Sequence, residues 1–146
     1  MSRENLEIAS ALTAAWNAGD MDAIRELYDP RVVLVPADGW PEPGPFAGRE
    51  AVLRWYEQFQ ETWDVGGLET LDLADAGDRV VARHIWHGVG GHGPETVFEF
   101  ASVTTIRWGK VVFAELFWDY AQALEAARVG DVAGDLMTAV GRHIDR

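Results

Sequence analysis

The chain has 146 residues, 48% hydrophobic and 25% charged, which is the size and balance of one soluble globular domain with a single core. Its 24 acidic and 12 basic side chains give a formal charge of −12, which repels nucleic-acid phosphates and anionic lipid and argues against either as a partner. Cysteine is absent, excluding disulfides and thiolate chemistry, and the N-terminus lacks a signal-peptide apolar core, so the expected location is cytoplasmic.

In chain order, Leu6, Ala9, Leu12, Ala15 and Trp16 recur at helical spacing over residues 3–18, and Asn17-Ala18-Gly19 ends that helix. Asp20 can cap a second, short helix whose apolar face is Ala23, Ile24, Leu27 and Tyr28, with Asp29-Pro30 as its break. The β-branched run from Arg31 to Val35 predicts a strand. A proline- and glycine-rich loop, Trp40 to Ala47, then leads into a third helix over 48–63. Period-two alternation predicts strands over 68–73, 79–89, 95–107 and 110–118, with turns at Asp75-Ala76-Gly77-Asp78 and Trp108-Gly109. Asp119 opens a helix through Arg128, and residues 131–144 could add another, although Gly134 and Gly141 weaken it. Helices first and long antiparallel strands after predict an α+β fold, with residues 1–130 as the domain and 131–146 as a helical extension of it.

Two carboxylates are candidate acid/base groups. Asp119 follows Phe117-Trp118, where a carboxylate beside tryptophan could have a raised pKa. Asp119-Tyr120-Ala121-Gln122 also fits a capping box, and the preference of aspartate for that position favours the cap. Asp38 lies two residues before Trp40, a loop tryptophan that could line a pocket mouth; a turn aspartate is the alternative. On the strand 79–89 both faces are half apolar. If Val81, Arg83 and Ile85 point inward, Arg83 needs an anion, from a ligand or from an internal carboxylate. Alternation places Phe98 with Phe100, and Leu116 with Trp118, so these four with Trp40 and Arg83 are expected to bound a cavity. His84 and His87 face opposite ways on one strand, and no other pair has ligand spacing, so neither a metal nor a cofactor is expected.

The order of Trp16-Asn17-Ala18-Gly19-Asp20, the proline loop running into Gly48-Arg49-Glu50, and Phe117-Trp118-Asp119 resembles the SnoaL-like branch of the NTF2-like superfamily over residues 4 to 128. That resemblance implies a curved antiparallel sheet wrapped by three helices into a cone, a deep apolar cavity, and a homodimer across the outer sheet face. The ring-closing polyketide cyclases of the family use an aspartate near the end of the last strand, about where Asp119 stands. Ketosteroid isomerases carry a tyrosine, a base and an acid at places that fall here on Leu12, on Leu34 or Val35, and near Ser102. Limonene epoxide hydrolases need an aspartate two residues past an arginine; Arg79 matches, but its partner is Val81, and their second aspartate corresponds to Leu116. Neither machinery is present.

Two functions therefore stand. One is acid/base catalysis of the cyclase or isomerase kind on a small hydrophobic molecule, carbonyl-bearing or anionic, with Asp119 or Asp38 as the proton-transfer group and Arg83 holding the anion or oxyanion. The other is a non-catalytic small-molecule-binding protein with an aromatic cavity.

Overall fold

The computed structural model describes residues 2–91 and 93–128. Helix α1 (Ser2–Ala18) ends at Gly19, whose φ of 67° turns the chain so that its N–H bonds Trp16 O at 3.0 Å. Asp20 caps α2 (Met21–Leu27), its Oδ1 accepting the Ala23 N–H at 3.1 Å. Strand β1 (Tyr28–Val35) begins three residues earlier than the sequence predicts. Its pairing with the last strand slips between Tyr28 and Val33, so Pro30, which has no N–H to offer, sits in a stretch without regular ladder bonds. The proline loop ends in a two-residue strand β2 (Phe46–Ala47) on the edge of β1, followed by α3 (Arg49–Glu61).

Four longer strands complete the sheet: β3 (Val65–Ala76), β4 (Arg79–Val89), β5 (Thr96–Arg107) and β6 (Lys110–Phe117). Strand β3 runs three residues past each end of the alternating segment 68–73, and near its start Gly66 pairs with Gly88 of β4. A Cβ on Gly66 would stand 2.5 Å from the Trp86 ring, and one on Gly88 would stand 2.5 Å from Trp86 Nε1 and 2.6 Å from Trp63. Only glycine lets those indoles lie on the strands. At the β5–β6 turn Trp108 and Gly109 both have positive φ, 54° and 73°, as a two-residue type I′ hairpin requires.

The sheet order is β2-β1-β6-β5-β4-β3, antiparallel throughout except for the parallel pair β1–β6. Helices α1, α2 and α3 cover its inner face, where Ile24, Val32, Leu34, Val52, Leu53 and Val80 are the buried centre of the core. Residues 120–128 form a fourth helix, α4, on the outer face, where Ala123 and Ala127 pack on Val81, Ala101 and Val103. The expected helix over 131–144 lies outside the described residues. Among the described residues no helix is long and apolar enough to cross a membrane.

Candidate functional site

Between the inner sheet face and the helices lies a cavity of about 300 Å³, at the small end of ligand-binding pockets. Alternation fixes its floor: Val80, Ala82, His84 and Trp86 of β4 point into it, beside Phe98, Phe100, Ser102 and Thr104 of β5. Leu12, Thr13 and Trp16 of α1 and Trp55, Tyr56 and Phe59 of α3 form its roof. Among the described residues, no Asp, Glu, Lys or Arg lines it.

Aromatic rings line the end at which β6 finishes. Trp40 stacks on Trp118 with centroids 5.4 Å apart and planes 20° apart, and meets Phe98 and Trp55 edge-on at 6.1 and 5.8 Å. Trp118 Nε1 donates to the Asp38 carbonyl oxygen at 2.7 Å, tying the proline loop to the end of β6. Of the residues expected around a cavity, Trp40, Phe98, Phe100, Leu116 and Trp118 are all in its wall.

The charged residues are elsewhere, which corrects the expected site. Arg83 is on the outer sheet face, since its neighbours Ala82 and His84 take the inward positions of β4. There its Nε donates to Asp72 Oδ2 at 2.7 Å and its Nη1 to Glu99 Oε1 at 3.2 Å. These partners, Asp72 first, raise its pKa further. Its anion is thus a pair of side chains, and it makes no contact with the cavity. Asp119 Oδ1 accepts the Ala121 N–H at 2.8 Å, a helix cap at the start of α4, and its carboxylate does not reach the cavity wall. Asp38 touches the site only through its backbone carbonyl.

Among the polar side chains that do enter the cavity is His84, which its sequence position alone does not single out. The ring, 7% exposed, stands on β4 with Nδ1 3.0 Å from Thr70 Oγ1 and Nε2 3.1 Å from Ser102 Oγ. Thr70 Oγ1 lies 3.3 Å from Thr13 Oγ1, which donates to Ala9 O at 3.4 Å. Burial pushes the His84 pKa down to about 4, so the ring is neutral at pH 7, and it packs against Phe100 with centroids 5.0 Å apart. The signal that could have found it is the alternation Val80, Ala82, His84, Trp86: an imidazole in a row that is otherwise apolar marks an inward face with a polar partner waiting. Ser102, and also Leu12 and Leu34, stand in the cavity wall at the places where the resemblance put the isomerase groups. A second polar pair, Tyr28 and Tyr56, joins its hydroxyls at 2.6 Å. Burial raises both, Tyr28 to about 12, so both hydroxyls are neutral. Among the described residues no three His, Asp or Glu converge as a metal site would need.

The SnoaL-like domain model matches residues 9–114, which include α2, α3, most of α1 and every strand but the end of β6. No curated protein sequence matches the chain. Among solved structures, an NTF2-like protein of unknown function from Burkholderia pseudomallei superposes with a TM-score of 0.71 at 18% identity, covering 84% of this chain and 95% of its own. TerC co-crystallised with polyporic acid gives 0.71 at 21% identity, over 86% of this chain and 98% of its own. A candidate SnoaL-like polyketide cyclase from Jannaschia gives 0.71 at 19% identity, over 86% of this chain and 92% of its own. At these identities the likeness establishes the fold, the NTF2-like α+β cone.

Proposed function

This chain belongs to the SnoaL-like domain family, and we propose that its cavity binds a neutral, flat, largely apolar organic molecule through one oxygen function placed at Ser102 and His84. The observation that carries this reading is the wall itself: aromatic and aliphatic throughout, uncharged among the described residues, and with its one imidazole held between two hydroxyls. Such a surface rewards burial of a ring system and accepts one or two oriented hydrogen bonds. Among the described residues it offers no cation to a carboxylate, because Arg83 is paired on the opposite face of the sheet. TerC's polyporic acid supports a small organic ligand as the class.

Binding is favoured over acid/base catalysis by the state of His84. A neutral ring held down to about 4 is a weak base, and among the described residues no carboxylate stands behind it to stabilise an imidazolium. Asp119 and Asp38 drop out of the catalytic role because neither carboxylate faces the cavity. Isothermal titration with 2-naphthol and 2-naphthoate tests the reading. Saturable binding of the naphthol, with the naphthoate weaker by at least about 100-fold for want of a cation, is expected. Equal binding of both, or of neither, overturns it.

A homodimer is the quaternary part of the proposal. Helix α4 already covers Val81, Ala101 and Val103, so only the remainder of the outer face calls for a partner. That remainder includes Val65, Val89 and Val97, 69%, 38% and 48% exposed and brought together by the β3–β4–β5 register. Sedimentation at twice the 16.2 kDa chain mass supports it, and sedimentation at the chain mass removes it.

A further inference from the structure

The hydrogen bonds around His84 have a direction, and the direction selects what the cavity takes. Four of them run in series: Ala9 O to Thr13 Oγ1, Thr13 Oγ1 to Thr70 Oγ1, Thr70 Oγ1 to Nδ1 of His84, and Nε2 of His84 to Ser102 Oγ. Four protons are available for them, one on each hydroxyl and one on the neutral imidazole. A carbonyl oxygen can only accept, so the Thr13 proton goes to Ala9 O. Thr70 must then donate to Thr13, His84 must donate from Nδ1 to Thr70, and Ser102 must donate to Nε2. With every hydrogen bond made, all four protons are used and no freedom is left. Ser102 then shows the cavity only lone pairs, which suit a hydroxyl donor.

The reverse arrangement sacrifices one hydrogen bond. If Thr70 turns its proton to Nδ1, the imidazole carries its own on Nε2 and donates it to Ser102, and the Ser102 proton is freed toward the cavity. The bond that breaks is one of the two at Thr13, to Thr70 at 3.3 Å or to Ala9 O at 3.4 Å, and both are longer than either bond to the ring. The arrangement is therefore biased rather than locked.

We propose that Ser102 is the specificity-determining residue of this cavity and that the tautomer of His84 sets its choice: the Nδ1–H form takes a ligand hydroxyl, and a ligand carbonyl is taken only by switching the ring to Nε2–H. This rests on the ligand's oxygen lying at Ser102, as proposed above. It narrows the ligand class to alcohols, phenols and enols ahead of ketones. It also reverses the sequence-based expectation of a carbonyl-bearing ligand.

The matched probes are 1-(2-naphthyl)ethanol and 2-acetylnaphthalene, which share a skeleton and differ in whether the oxygen can donate. Two-bond ¹H–¹⁵N correlation spectra of protein labelled at histidine read the His84 tautomer directly. The free protein and the alcohol complex are expected to show Nδ1–H, and the ketone complex Nε2–H. The alcohol is expected to bind about three- to tenfold more tightly, the equivalent of one weak hydrogen bond, and Ser102→Ala is expected to abolish that preference. An Nε2–H ring in the free protein overturns the proposal. So does one tautomer in both complexes, or a preference that survives Ser102→Ala. If neither probe binds, the neutral-ligand reading fails, and the tautomer of the free protein still decides the direction of the chain of hydrogen bonds.

Discussion

At His84 the imidazole has been taken out of water without gaining a charged partner, and this has a thermodynamic sign. Its pKa is about 4 in the folded chain against an ordinary 6.5, so between these values the unfolded state holds the proton and the folded state does not. Its contribution to stability is present above pH 6.5 and is lost as the pH falls through that window, by about 3 kcal/mol in all at 1.36 kcal/mol per pKa unit. Urea unfolding at pH 7.5 and pH 4 should show the wild type losing about that much more than His84→Gln, whose carboxylates titrate in the same way. Equal losses would place the ring in contact with water. Asp119 is a different kind of residue, a cap on the Ala121 N–H. Asp119→Asn should leave stability within a few tenths of a kcal/mol, Asp119→Ala should lower it by about 1 kcal/mol, and neither should change the affinity for 2-naphthol. The sequence holds both readings of Asp119 open because a cap and a general acid look alike at the start of a helix. Which way a side chain points past a strand end depends on the loop beyond it.

At the scale of elements, the strands are legible where their two faces differ and ambiguous where they do not. Strand β5 carries Phe98 and Phe100 on the inner face and Val97 and Glu99 on the outer, and its orientation can be read directly. Strand β4 has apolar residues on both faces, because α4 covers Val81 from outside while the cavity takes Val80 and Ala82 from inside. Alternation alone cannot choose between Arg83 and His84 as the inward group. The choice is made by neighbours far away in sequence: Asp72 and Glu99 outside, Thr70 and Ser102 inside. The far ends of β3 and β4 depend on Gly66 and Gly88 in a way no periodicity announces. Gly88→Ala would set a methyl group 2.5 Å from Trp86 Nε1 and 2.6 Å from Trp63. Trp86 has no room to withdraw, as it is 3% exposed and packs on Trp16, Phe59 and Trp63. The substitution should cost about 1–3 kcal/mol by thermal or urea unfolding, the range for overpacking a tight interior. A neutral result would mean that the two tryptophans are loosely held.

For the whole molecule, the sequence order of three helices, one strand and a run of long strands is enough to give the α+β class, and the cone is what the resemblance to the SnoaL-like family adds. The parallel pairing of β1 with β6 is not visible there, since it joins the first long strand to the last and no turn connects them. The cover of the outer face by α4 is equally hidden. Ala123 and Ala127 are small, and only their landing on Val81, Ala101 and Val103 makes them a core. With the inner face closed by α1 to α3 and part of the outer by α4, the sheet encloses a cavity whose lining among the described residues is uncharged, with His84 held between hydroxyls in its wall. The most direct test is a crystal structure of the protein grown with 2-naphthol. The ring system should lie between Trp40 and His84, with the naphthol oxygen within hydrogen-bond distance of Ser102 Oγ. Naphthol bound on the outer face beside Arg83, with the cavity filled by its own side chains, would contradict the account.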